Sequence, residues 1–498
     1  MGGGFTGLTT AALLSKAGYS VTVLEKNEIL GGLARAEEFG GLRFVGPQYS
    51  DGFGPSGMGS RILAYLGIQD TNPFLSVAAE LEQQITISDP DTGQLKRYSL
   101  PMNVDGLQSA MVAYFPDDEA ALGRLFDEMR EVYNTFATIT EKYPRMPGGL
   151  EFLVKFLMLR GLSWREKMNF FRITGLSMKQ WFDQSGLSAP ARHVLYINAG
   201  GISGENEDDA SVMIFIIATA GDNYLPSNGF DSLMASLQSA IEANGGSVLT
   251  GKEVTSLAVE NGKVTGAVCS DQSVTDCDFL ISDLSPRLTA ALLPGPEPGQ
   301  YLYTLSPGFI ICCIGISGRL DGLGDSGYVY AANNGVVEFR SPDVAAKPQW
   351  MLFVSPTRRG IGNTAENQSD DSLIAMIPGN YQQELGIYAQ GTAAVAAFKD
   401  ALEADVLGIL ENNFFAGITS KISFAEVITS VDLEERVGSE KGNAMGRRMN
   451  MDEMRMQVPE ESSVSNLINV SAVQNGSGFR TCLSTAIWVL EKATGIRL

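Results

Sequence analysis

Residues Gly2-Gly3-Gly4-Phe5-Thr6-Gly7 form a G-x-G-x-x-G run, and a carboxylate, Glu25, stands eighteen residues beyond its last glycine. These residue types at this spacing suit the binding of a dinucleotide. Gly2 permits a tight turn, Gly4 lets the backbone approach a diphosphate, and Gly7 allows a helix to pack closely. A helix N-terminus placed after such a loop offers unpaired N–H groups and the positive end of its dipole to phosphate. Glu25 can accept hydrogen bonds from both hydroxyls of a ribose, which favours an unphosphorylated one.

The elements that must position these groups are legible beside them. Leu8 to Ala17 is a small-residue helix that Gly18 ends, and Ser20 to Leu24 is a short β-branched strand carrying Glu25 at its end. Lys26-Asn27-Glu28 and then Leu30-Gly31-Gly32-Leu33-Ala34-Arg35 follow. A glycine pair with an arginine just after it lets backbone run along a flavin's diphosphate and ribityl chain, and the guanidinium adds a charge-assisted contact to phosphate. Phe44-Val45-Gly46-Pro47 reads as a strand entering a turn.

In this order of motifs the chain resembles the amine-oxidase-like flavoproteins, and within them the phytoene desaturase, carotenoid isomerase and retinol saturase branch. Tyr224-Leu225-Pro226-Ser227-Asn228-Gly229-Phe230 resembles that family's segment before a helix, here Asp231 to Asn244. Gly246 to Leu249, Glu253 to Leu257, a hairpin turn at Asn261-Gly262 and Phe279 to Asp283 complete the unit. The resemblance implies FAD as cofactor. Its contacts would be Gly2, Gly3, Gly4, Phe5, Thr6 and Gly7, then Glu25 and Lys26, then Gly32, Leu33, Ala34 and Arg35. Gly46, Pro47 and Gly478 would add to these, and Val254 is the position whose backbone meets the adenine in the family.

The fold class expected is α/β: a Rossmann-like FAD-binding domain of three layers (ββα), with an inserted α+β substrate domain. The FAD domain would be discontinuous, 1–75 plus 222–300 plus 440–498, and the substrate domain would take 76–221 plus 301–439. Within the latter, 83–98 reads as a strand pair, 118–139 as a helix, 309–316 and 350–355 as buried strands, and Ala393 to Asn412 as a helix. Near the end, Asn466 to Val470 is a strand, Gln474 to Gly478 a loop, and Thr481 to Ala493 a helix aimed at the flavin in the family. Ser471-Ala472 replaces the family's Gly-Asp or Gly-Ala pair. The family also runs an apolar strand directly into the first glycine. Met1 stands where its last residue would be, so a misplaced start, and a fold lacking its first strand, is the expectation.

The bulk properties narrow the chemistry further. Among 498 residues, 44% are hydrophobic and 19% charged, which describes a globular chain, and no run reaches the roughly 18 apolar residues of a membrane span. A formal charge of −21 argues against nucleic acid. One histidine, His193, excludes a poly-histidine metal site, and no metal is expected. Five cysteines (269, 277, 312, 313, 482) show no zinc or redox spacing, and a reducing, cytoplasmic location is the default, with organellar targeting hidden if the start is incomplete. One segment departs from the acidic background. Residues 145–179 hold Arg145, Lys155, Arg160, Arg165, Lys167, Arg172 and Lys179 against Glu151 and Glu166, interleaved with Phe, Leu and Trp164. Such a segment fits either core helices with solvated charges or peripheral contact with an anionic membrane.

The chemistry therefore rests with a cofactor. The resemblance implies oxidoreduction of a large apolar, carotenoid- or isoprenoid-like substrate by desaturation, saturation or flavin-mediated isomerisation. An amine or porphyrinogen oxidase, and a non-catalytic FAD-binding paralogue, stay open, and no catalytic residue is identified.

Overall fold

A computed structural model describes the chain except 47–49, 56, 78–80, 89–91, 93, 144–148, 296–302, 333–336, 363–368, 456–463 and 477. Its principal elements begin with α1 (Phe5–Lys16), β1 (Thr22–Leu24), β2 (Glu82–Ser88), β3 (Leu95–Pro101) and α2 (Glu119–Lys142). Then come α3 (Gly149–Leu157), α4 (Trp164–Thr174), α5 (Met178–Ser185), α6 (Ala189–Ser203), α7 (Val212–Ala220) and α8 (Phe230–Ala243). A run of strands follows: β4 (Ser247–Leu249), β5 (Val254–Glu260), β6 (Lys263–Cys269), β7 (Val274–Asp276) and β8 (Leu280–Ser282). The chain continues through β9 (Phe309–Ile316), β10 (Gly327–Ala331), β11 (Trp350–Val354) and β12 (Asp371–Pro378). It closes with α9 (Thr392–Asn413), β13 (Ile422–Ile428), β14 (Leu467–Asn469) and α10 (Phe479–Thr494).

The glycine-loop half is layered by the period-two alternation of its short parallel strands. Strand β1 pairs with β4, and β8 with β14, both in parallel. Val23, Ile281 and Ile468 face the helices, whereas their neighbours Leu24, Leu280 and Leu467 face the antiparallel sheet β5–β6–β7 through Leu257, Val264 and Ala267. This is the ββα layering expected. Helix α1 is buried on nearly every side because Gly7, Ala11 and Ala12 leave it narrow enough to lie between α8 and α10. Met1 and Gly2 join the two strand pairs. The Met1 ammonium donates to the Ile281 carbonyl (2.9 Å), Asp283 N–H donates to the Met1 carbonyl (2.9 Å), and Gly2 N–H donates to the Leu24 carbonyl (2.9 Å).

The sheet half is built on seven strands in the order β13-β9-β12-β11-β10-β2-β3, antiparallel except for β10 beside β2. One face, with Ile85, Val329 and Trp350, packs on α2 and α4–α7 through Phe126, Trp181 and Phe215. The other face, with Cys312, Ile314 and Phe353, packs on α9 through Leu402, Val406 and Leu410. Cys312 and Cys313 are thus packing residues on opposite faces of β9, and both are free thiols.

Two expectations change. Helix α1 begins at Phe5 rather than Leu8, so Phe5, Thr6 and Gly7 are its first turn and not part of the loop. The loop expected at Gln474–Gly478 opens with one helical turn, Ala472–Asn475. The hairpin at Asn261-Gly262 forms with both residues left-handed (φ 51° and 72°), as a two-residue turn requires.

Most cations of the basic segment 145–179 have partners, and three of those partners lie outside it. Arg172 pairs with Glu128, Lys179 with Asp183 and Lys155 with Glu151, while Arg165 approaches Glu131 at 3.8 Å. Lys167 is buried and donates to the carbonyls of Leu157 and Leu159, capping the end of α3 (2.9 and 2.8 Å). Arg145 lies outside the described residues.

Candidate functional site

The glycine loop is held by backbone contacts that only glycine admits. Gly2 has φ +91°, and a side chain on Gly7 would overlap the Gly2 carbonyl oxygen. The Gly31-Gly32 pair, at φ +113° and +56°, closes over the loop: Gly31 N–H donates to the Gly3 carbonyl (2.8 Å), and Gly4 bridges Gly31. Glu25, buried at the end of β1, accepts from Gly3 N–H (2.6 Å) and Asn27 N–H (2.9 Å). The sequence motifs 2–7, 25 and 31–32 are therefore one contiguous structure.

The other expected positions divide. Ala34 is buried and Leu33 is 40% exposed in a turn of 3-10 helix. Arg35 is engaged by Glu37 at 2.6 Å, and Lys26 reaches away to the Glu435 carbonyl (2.8 Å). Gly46 lines a small cleft with Leu225, Pro226, Gly229 and Phe230, which joins the two motif blocks. Pro47 lies outside the described residues. Val254 opens β5 beside the stretch whose Lys252 N–H donates to the Glu25 carbonyl (2.7 Å). Gly478, at φ +85°, is the exposed N-cap of α10.

Phe5, Phe230 and Phe479 are each the first residue of a helix, and they meet. Phe479 stacks on Phe230 (centroids 4.2 Å, 10°) and meets Phe5 edge-on at 4.9 Å. The N-termini of α1, α8 and α10 thus converge, so three positive dipole ends gather where the glycine loop lies. A diphosphate-bearing, dinucleotide-sized ligand with a ribose fits this donor set: left-handed glycines, convergent N–H groups and one buried acid.

Two groups here are not among the site residues expected from the motifs. Asp283, directly after β8, accepts from Gly7 N–H at 3.1 Å, and burial among protein atoms pushes its carboxyl up to about 7. Asp51 is paired with Arg480 of α10 and accepts from Tyr133 OH of α2 (3.1 Å). Arg480 also donates to Thr140 (2.7 Å) and lies 5.2 Å from the Phe136 ring centre. This cluster ties the last helix to the sheet half. Burial raises both the Asp51 carboxyl and the Tyr133 phenol, with Arg480 opposing the rise at each.

The family model for flavin-containing amine oxidoreductases matches residues 5–300. A carotenoid 3,4-desaturase of Haloarcula japonica is 32% identical over 132 residues, 26% of this chain and 24% of its own. A chloroplastic prolycopene isomerase of Daucus carota is 25% identical over 334 residues, 64% of this chain and 51% of its own. The matches thus span about half, or less, of these curated relatives. An oxidoreductase of Methanosarcina mazei shares the fold, with TM-score 0.63, 17% identity and 98% of each chain covered.

Proposed function

From the premise that the chain belongs to the flavin-containing amine oxidoreductase family, we propose that this FAD-dependent oxidoreductase acts on a large apolar substrate of the carotenoid or isoprenoid class. The observation that carries the reading is the likeness to two relatives named for a carotenoid and for prolycopene. FAD supplies hydride acceptance and return. The chain's own part is to seat that cofactor: N–H groups at the start of α1 for the diphosphate, Glu25 for the ribose hydroxyls, and the α10 N-terminus for negative charge. Residues 1–75, 222–300 and 440–498 form the FAD-binding domain in this reading, supported by a core that unites Leu8, Phe230 and Leu490. The remainder binds substrate.

An apolar substrate must be drawn from lipid, and the α3–α4 hairpin suits that task. Among the described residues, six of the fourteen exposed large hydrophobic residues lie between 153 and 168: Leu153, Val154, Leu157, Met158, Trp164 and Met168. Met158 is 76% and Trp164 65% exposed, with exposed Arg160 and Arg165 beside them. On a chain of charge −21, an apolar tip flanked by cations fits peripheral docking on an anionic bilayer. Among the described residues no helix is long and apolar enough to cross a membrane.

Anaerobic mixing of purified protein with polyene-laden vesicles tests the substrate class. The flavin band at about 450 nm should bleach, and a diamine should leave it unchanged. Bleaching by the amine alone would move the assignment to amine oxidation, and purified protein without a flavin band would move it to a non-catalytic relative.

A further inference from the structure

Helix α1 carries no capping side chain of its own, because its N-cap is Gly4. The open N–H of Gly7 is taken instead by Asp283, brought from the end of β8 (3.1 Å). The Thr6 side chain also bonds that carboxylate. A methyl group built on Gly4 would lie 2.5 Å from the same carboxylate oxygen. The space that this glycine leaves open for a diphosphate is therefore shared with an acid.

The groups facing Asp283 are few. Met1 contributes an ammonium, Glu25 a second carboxylate from the end of β1, and Cys482 a thiol from α10. No lysine or arginine among the described residues forms an ion pair with it. Ionised, Asp283 and a diphosphate would compete for one set of helix N–H donors. Protonated, Asp283 can keep the Gly7 N–H as acceptor and becomes a donor itself.

We propose that Asp283 is a cofactor-positioning residue that carries a proton when the FAD diphosphate is seated near neutral pH, so that FAD uptake just above neutrality consumes one proton from solvent. The inference rests on the FAD assignment. Its direction follows from linkage. Burial already lifts the free carboxyl to about 7, with the Gly7 N–H and the Met1 ammonium opposing and Glu25 adding to the rise. A seated diphosphate, whose own charge is constant near neutrality, lifts it further. Below about pH 7 the proton is already present and affinity is flat. Above it, each pH unit raises the dissociation constant about tenfold until the carboxyl of the complex ionises too.

Flavin-stripped protein titrated with FAD between about pH 6 and about pH 9, read by quenching of flavin fluorescence, tests this. The parent should show the rise above neutrality, and Asp283→Asn, which keeps an acceptor for Gly7, should be flat and as tight at high pH as the parent is at low pH. Asp283→Ser serves if the asparagine variant does not fold. Calorimetry in two buffers of different ionisation enthalpy should report proton uptake in the parent and none in the variant. A parent constant that does not change with pH overturns the proposal. So does a slope that persists in the variants, which would assign the proton to Met1. Failure to bind FAD at any pH is a different result, and removes the cofactor assignment on which the proposal rests.

Discussion

Asp371, which opens β12 in the sheet half, and Asp283, which follows β8 under the glycine loop, are both carboxylates drawn in among protein atoms, yet their surroundings are opposite. Asp371 accepts a two-bond fork from Arg358 (2.9 and 2.8 Å), a third bond from Arg319 (2.8 Å) and the N–H of Leu320 (2.7 Å). Burial raises this carboxyl, but Arg358, the Leu320 N–H and Arg319 outweigh it and hold it below the usual value. Asp283 has a helix N-terminus and no guanidinium, and its carboxyl is raised. An acid whose donors are all supplied by its own fold is a fastener. An acid left short of donors at a ligand cradle is free to answer to the ligand.

The largest expected effect breaks the fastener. Asp371→Asn leaves Arg358 and Arg319 without their anion and should cost about 3–5 kcal/mol in denaturant unfolding. The two acids should also bend the pH–stability curve of the flavin-free protein in opposite senses. Asp371, with a lowered folded value, contributes stability present above its unfolded value of 3.8 that is lost as pH falls through the folded one. Asp283 rises from 3.8 to about 7, so the folded state binds the extra proton and stability falls as pH climbs between those values. Asp371→Asn should flatten the acid limb. Asp283→Asn should remove the decline toward neutrality. Identical curves for both variants would dissolve the contrast.

Two glycines sharpen the same comparison at smaller scale. Gly7 in α1 has the Gly2 carbonyl where a side chain would go, whereas Gly123 in α2 has nothing within 4 Å. Gly7→Ala should weaken FAD binding ten- to hundredfold, about 1–3 kcal/mol, because a backbone oxygen cannot step aside. Gly123→Ala should instead stabilise by about 0.5–1 kcal/mol in thermal unfolding and leave FAD affinity unchanged.

What the sequence disclosed follows the same division. The glycine run, Glu25 and Gly31-Gly32 lie within 32 residues, and their chemistry is backbone chemistry written in glycine spacing, so the cradle could be read directly. Asp283 is 276 residues from the N–H it caps, and Asp51 is 429 from Arg480. No local pattern announces such pairs. The start of α1 was hidden for a related reason: an N-cap glycine has no side chain to mark it, and the acid that does the capping comes from another strand. In the sheet half, β9 and β11 were legible from their apolar runs, and β2 and β3 from the turn-forming residues between them. Their order was not, because β10 joins β2 in parallel across more than two hundred residues. The partners of the basic segment were not legible from the segment alone, since Glu128 and Glu131 lie on α2 and Asp183 one turn beyond Lys179 on α5.

The smallest expected effect on stability belongs to the α3–α4 hairpin, and it separates packing from docking. Phe156, Leu159 and Phe170 belong to the core by which the hairpin packs on α2 and α7, while Met158 and Trp164 stand out from it. Replacing both exposed residues by serine should shift unfolding by no more than about 0.5 kcal/mol, because neither belongs to the core. The same change should abolish co-sedimentation with anionic vesicles if the hairpin docks there. Arg160→Glu should weaken that binding and reduce its salt dependence. Lys155, Lys167 and Arg172 are unsuitable for charge reversal, since each already serves a partner within the fold. Vesicle binding retained in the double-serine variant would return the hairpin to the status of an ordinary solvated edge, and the contact with lipid would have to be sought elsewhere.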